Sequence, residues 1–260
     1  MIVKGKTIAL ANQKGGVGKT TTTINLSAAL ARLGKRVLVV DSDPQGNASS
    51  GLGVNSPNMG KHLYHCYMDR EQVAKSIRSV PGYETLEILP THVDLIGVEV
   101  ELMMAERRER YLSMMLEPFL DSYDYIIIDC PPSLGLLTLN ALTAANSVII
   151  PLQCEYFALE GLSQLIRTIR LVKNSYNNSL YIEGLVLTMY DRRNRLTYQV
   201  AKEVKQHFKE KVYKTVIPRN VRLSECPSHG MSVIDYDKRS SGAISYMNLG
   251  REFIKKQVKE

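Results

Sequence analysis

The chain has 260 residues, enough for one large α/β domain at the length where single cores begin to split. It is 44% apolar and 23% charged with no run near the ~18 apolar residues of a membrane helix, which excludes a helical membrane protein. The net charge of +7 is uneven: residues 190–260 hold 16 Lys/Arg against 8 Asp/Glu, whereas residues 1–189 hold 17 against 18, which points to a polyanion-binding face in the last quarter.

Cys66, Cys130, Cys154 and Cys226 form no C-x-x-C pair, and the N-terminus shows no leader-like hydrophobic region. Free thiols and a cytoplasmic location are therefore expected. Thr7–Leu10 reads as a buried strand, and Thr22–Leu33 as a helix with Ile24, Leu26, Leu30 and Leu33 turned toward a core. Between them lies Ala11-Asn12-Gln13-Lys14-Gly15-Gly16-Val17-Gly18-Lys19-Thr20-Thr21. Strand, glycine-rich turn and helix is the setting that makes a glycine motif a phosphate site. Gly15, Gly16 and Gly18 let the backbone of Gly15–Thr21, Val17 included, turn its N–H groups toward an anion at the positive end of a helix. Lys19 supplies a mobile charge for the outer phosphates, and Thr20 a hydroxyl suited to Mg²⁺. Lys14, at the start of the loop, is poorly placed for the phosphates its own loop wraps. It reaches a nucleotide on a second copy of the chain, or is simply solvated.

Val37–Val40 is a second buried strand and runs into Asp41-Ser42-Asp43-Pro44-Gln45-Gly46-Asn47, acidic groups at the end of a strand where open α/β sheets bind ligands. Ser49–Asn58 reads as loop, residues 69–80 as helix, Leu86–Pro90 as a short strand, and Asp94–Leu116 as one long helix. Tyr125–Asp129 is a third strong strand. Leu136–Ala145 is a helix, Ser147–Pro151 a strand, Phe157–Lys173 a helix, Ile182–Leu187 a strand, and Leu196–Phe208 an amphipathic helix. Val212–Ile217 closes the strands, and a last helix spans Gly242–Val258. Alternating strands and helices without a composition break predict one α/β domain, three layers deep, around a mainly parallel twisted sheet.

A phosphate loop needs an acidic partner to hold Mg²⁺ directly or through water, and Asp129 fits, the alternative being a strand-end aspartate that caps the next turn. Asp43 is placed to orient an attacking water. Asp41 points the same way along its strand, either toward a Mg²⁺-bound water or into a structural hydrogen bond. Arg192, Arg193 and Arg195, with Arg219 and Arg222 on a neighbouring loop, can contact phosphates without reading sequence, or form a solvated rim. Pro218 and Asn220 lie in that second loop.

The run Lys14–Thr20 resembles the deviant Walker A motif of the ParA/MinD superfamily of P-loop ATPases. Asp41–Asn47, Tyr125–Gly135, Pro151–Gly161 and Ile217–Asp237 extend the resemblance over nearly the whole chain, nearest to the chromosomal ParA (Soj) branch. The resemblance implies a SIMIBI-type fold, ATP and Mg²⁺ as cofactors, and slow ATP hydrolysis that depends on Asp43. It also implies a homodimer in which Lys14 reaches the other chain's nucleotide, and base contacts from Pro218 and Asn220. Nonspecific double-stranded DNA bound through the arginines, a ParB-like partner and a place on the nucleoid follow from it as well. No helix-turn-helix segment precedes the loop, and Arg251–Val258 has only three apolar residues, too few for a membrane anchor. The alternatives are a MinD-like positioning ATPase or a metabolic ATP-dependent ligase.

Overall fold

The computed structural model describes residues 5–54 and 60–258. In chain order, β1 (Lys6–Leu10) leads to α1 (Lys19–Arg32), β2 (Val37–Asp41) and the short α2 (Asn47–Gly51). Next come α3 (Leu63–Met68), α4 (Val73–Ser76), β3 (Arg78–Ser79), β4 (Leu86–Leu89), α5 (Gly97–Glu101) and α6 (Tyr111–Leu116). β5 (Tyr125–Asp129), α7 (Leu136–Ala144), β6 (Ser147–Gln153), α8 (Ala158–Ser175), β7 (Tyr181–Thr188) and α9 (Arg195–Phe208) continue the alternation. The chain ends in α10 (Arg222–Glu225), α11 (Val233–Tyr236) and α12 (Ser241–Gln257).

The strands form one seven-stranded sheet in the order β3-β4-β2-β5-β1-β6-β7, parallel throughout except for β3. Runs such as Val37–Val40 and Tyr125–Ile128 are buried on both faces, which is why they read as continuous apolar stretches rather than alternating ones. Successive side chains still go opposite ways. Ile8, Leu10, Val37, Val39 and Ile127 join the core under α1, α2, α11 and α12. Ala9, Leu38, Val40, Ile126 and Ile128 join the core under α3 to α9. The predicted three-layer, mainly parallel fold is what forms.

Four expectations for individual elements fail, each for a physical reason. The single helix over 94–116 is in fact α5 and α6, separated by a turn at Arg107 with φ +54. An unbroken helix of that length would run about 35 Å, whereas parallel strands of four to eight residues make a sheet about 13–26 Å tall. The chain instead lays down short pieces, burying Leu95 in a 3₁₀ turn and Val98 in the α5 that follows it, and Leu112, Met115 and Leu116 in α6. The helix over 69–80 shrinks to a 3₁₀ turn and α4, after which β3 pairs antiparallel with β4. Val212–Ile217 makes no continuous strand: bridges at Leu185–Val212 and Tyr190–Pro218 flank a gap where Glu252 takes the Lys214 and Thr215 amides at 2.7 and 2.9 Å. Of the loop expected over 49–58, residues 49–51 belong to α2, and 55–58 lie outside the described residues.

Candidate functional site

β1, an interior strand, has β5 on one side and β6 on the other, so the loop after it sits where the chain turns both ways across the sheet. Gly16 and Gly18 adopt φ +73 and +86, left-handed values that side chains resist. A Cβ on Gly15 or Gly16 would meet nothing within 4 Å, so the space over the loop is open. Asn12 anchors the loop's entry: its Nδ2 donates to Pro151 O at 2.7 Å and its Oδ1 accepts from Lys14 N at 3.0 Å. Thr188, at the end of β7, anchors the middle by donating its hydroxyl to Val17 O at 2.8 Å. The loop is thus held by three separate strands of the sheet.

Lys19 opens α1 and is only 6% exposed, with Nζ donating to Lys14 O at 3.2 Å. Burial pushes its pKa down, and the charges of Asp129, Cys130 and Asp43 pull it back up. Asp129 and Asp41 are register partners at the ends of β5 and β2, and both are fully buried. Asp129 Oδ1 accepts from Thr23 Oγ1 at 2.8 Å, while its Oδ2 has no hydrogen-bond partner. Burial first and the charge of Asp41 second raise its pKa, and the Thr20 side chain partly offsets them. A buried orphan carboxylate oxygen near a threonine hydroxyl at a helix start fits a hard divalent cation.

Asp41 has no such vacancy. Its Oδ2 accepts from Ser49 N and Oγ at 2.8 and 2.6 Å, and its Oδ1 from Asp43 N at 3.3 Å. The structural alternative for Asp41 is the one its contacts support, holding α2 and orienting Asp43. Asp43 itself is 7% exposed, accepts from Gln45 N at 3.1 Å, and lies near enough to Lys19 for its charge to favour the ammonium.

Beside the loop a cleft is lined by Gly18, Thr21, Met189, Pro218, Asn220 and Tyr246, among others. It joins the two loops that the sequence singled out separately. The Asn220 amide is largely committed, donating to Ser241 Oγ at 2.8 Å and accepting from Arg222 N at 3.0 Å. It braces the cleft wall and keeps one N–H and one lone pair for a base.

Lys14 lies at the mouth, half-exposed, with Nζ on Glu155 Oε2 at 2.5 Å. Tyr156 and Phe157 follow, 76% and 65% exposed and stacked edge-on at 4.9 Å. Arg192, Arg193 and Arg219 on loops, and Arg195 and Arg222 at the starts of α9 and α10, are all exposed at this sheet edge. Arg193 is clasped by Asp191 at 3.1 Å, and Arg222 by Glu225 at 2.7 Å and Asp237 at 3.4 Å. That leaves Arg192, Arg195 and Arg219 the more available cations. Sequence reasoning missed Asn12, Ser49, Glu155, Thr188, Met189 and Tyr246. Only Glu155 carried a signal, an acid just past the end of a strand on the ligand edge.

A family model described as an AAA domain matches residues 5–182. The sporulation initiation inhibitor protein Soj of Bacillus subtilis is 57% identical over 248 residues, covering 95% of this chain and 98% of that protein. The chromosome partitioning protein ParA of Myxococcus xanthus is 53% identical over 254 residues, covering 98% and 89%. Among solved structures, cobyrinic acid a,c-diamide synthase from Mycobacterium smegmatis with bound ADP and magnesium superposes with a TM-score of 0.82 at 36% identity, covering 95% of this chain and 93% of that one.

Proposed function

The chain belongs to the ParA/MinD-type family of P-loop ATPases, alongside the Soj and ParA partitioning proteins, and from that premise we propose that it is an ATP-driven, DNA-binding partitioning switch. The observation that carries the reading is the convergence on one edge of an open glycine loop, a buried lysine, an orphan carboxylate oxygen and Asp43.

Amides of Gly15–Thr20 and the Lys19 ammonium hold the outer phosphates. Thr20 and Asp129 take Mg²⁺, which when bound neutralises charge on the phosphates. Asp43 orients the water, while Asp41 and Gln45 fix its carboxylate through the backbone on either side. Pro218 and Met189 flank the base. Lys14 leaves Glu155 to reach the nucleotide of a second copy, and the closed pair brings two sets of arginines onto one duplex. Doubling the phosphate contacts raises DNA affinity steeply. A ParB-like partner accelerates hydrolysis and release.

A ligase reading is favoured by the 36% identity to the diamide synthase. Two measurements separate the two. Sizing the protein with ATP, ADP or neither, with and without nonspecific duplex, should show an ATP-dependent dimer on DNA; a protein that stays monomeric with a non-cleavable nucleotide removes the switch. Asp43→Ala should trap the DNA-bound dimer and lower turnover at least ~100-fold. An ATPase that duplex DNA neither stimulates nor retains favours the ligase.

A further inference from the structure

Three of the chain's five histidines meet away from the phosphate loop. His62 precedes α3, His65 lies within it, and His92 opens the turn after β4. The His62 ring lies 4.3 Å from His65 and 5.2 Å from His92, centroid to centroid. Asp94 joins them: its Oδ2 is 3.0 Å from His92 Nδ1 and 3.9 Å from His62 Nε2. One donor atom each from His62, His92 and Asp94 lie within 4.8 Å of one another.

Two observations single this cluster out from ordinary surface polarity. The His62 side chain is 7% exposed, and its Nε2 is the nitrogen turned toward the Asp94 carboxylate, so a buried imidazole donor faces the cluster. His92 Nδ1 accepts from Asp94 N at 3.4 Å, so its lone pair points to the same side as the Asp94 carboxylate. Asp94 Oδ2 lies 3.0 Å from the same nitrogen, a spacing that favours a positive charge between the two atoms, a proton or a metal ion.

We propose that His62, His92 and Asp94 form a binding site for one divalent transition-metal ion of the zinc class, with water completing the coordination. Two imidazoles and a carboxylate suit Zn²⁺ and disfavour Mg²⁺, which prefers oxygen. Tetrahedral ligands at the usual zinc bond lengths sit about 3.4 Å apart, a spacing bracketed by the 3.0 and 3.9 Å seen here. The ion clamps the turn after β4 to the start of α3. Thr91, next to His92, donates its N–H to Ser49 Oγ at 3.1 Å, so the clamp lies one residue from the contacts that hold Asp41.

The test uses the chelator-stripped full chain in excess Mg²⁺, which fills oxygen-donor sites and competes poorly for imidazole. Zn²⁺ is titrated by calorimetry, and Co²⁺ by its visible spectrum. One ion per chain, an intense tetrahedral cobalt band and a rise in Tm with zinc are expected. His92→Gln and Asp94→Asn change side chains that are more than half exposed, so the metal-free Tm should stay put, while affinity falls at least ~10-fold and the Tm rise disappears. Absence of binding with zinc in large excess overturns the site. So does binding that His92→Gln leaves unchanged, the result expected if the thiols held the metal.

Discussion

At the scale of single residues, Asp129 and Lys14 show how environment assigns roles. Asp129 stays partly protonated because it is buried beside Asp41, its pKa raised from 3.8 to about 7. Over that window the folded chain keeps a proton that the unfolded chain has released. Without nucleotide and metal, stability should therefore fall as pH rises from about 4 toward 7. Asp129→Asn keeps an acceptor for Thr23 and removes the charge. It should flatten this pH dependence and stabilise the metal-free protein at pH 8 by about 1–3 kcal/mol while abolishing ATP turnover; Tm against pH and a phosphate-release assay check both. Lys14 rests on Glu155 through a pair exposed enough to contribute at most about 1 kcal/mol, so the contact is easily exchanged for a better one. Lys14→Ala should leave ATP binding intact and abolish the ATP-dependent dimer, whereas Glu155→Gln should raise the dimer fraction at limiting ATP. Sedimentation with a non-cleavable analogue distinguishes these outcomes.

At the scale of elements, the helices with the strongest bearing on the site are those that pack α1 in place. α12 lies against α1 and buries Tyr246 and Phe253, with Phe253 edge-on to Tyr125 at 5.1 Å. Tyr246 also shares a hydrogen bond with Thr22 at 3.1 Å, tying α12 to the helix whose first residue is Lys19. Phe253→Ala should cost about 3–5 kcal/mol, and chemical denaturation should show it as a lower midpoint with an unchanged slope. Such a variant should still bind nucleotide when folded, because the cavity opens far from the loop. The break between α5 and α6 has its own consequence. Glu99 of α5 accepts the Leu136 N–H at 2.9 Å, so a separate short helix can cap the start of α7 just beyond Asp129 and Pro131-Pro132.

At the scale of the whole molecule, charge and shape meet at one edge. Arg192, Arg193, Arg195, Arg219 and Arg222 of the basic last quarter lie at the carboxyl ends of the parallel strands, whereas Lys211, Lys214, Arg251, Lys255 and Lys256 line a separate cavity. With ATP present, DNA affinity should fall steeply with salt. Changing Arg192, Arg195 and Arg219 to Glu should reduce the slope of log K against log salt by about one unit per lost phosphate contact. Fluorescence anisotropy on unrelated duplexes reads this, and equal loss on every sequence is the outcome that the proposed phosphate-only contacts require.

Much of this was legible in one dimension. The strands at Thr7–Leu10, Val37–Val40 and Tyr125–Asp129, the loop from Lys14 to Thr21, and Asp129 at its strand end are local patterns, since burial on both faces and tight phosphate turns leave signatures within a few residues. The 94–116 segment reads as one helix because its apolar spacing is helical on both sides of Arg107, and the left-handed turn there is not written in that spacing. Asp41 and Asp129 sit 88 residues apart in the chain, and their register pairing, which leaves one carboxylate satisfied and the other with a bare oxygen, arises from strand order alone. The same holds for Thr188 on Val17, Glu155 under Lys14 and the gathering of His62, His92 and Asp94. Local sequence decides what a segment prefers to be, but which side chains share a desolvated space depends on crossovers that bring distant strand ends together.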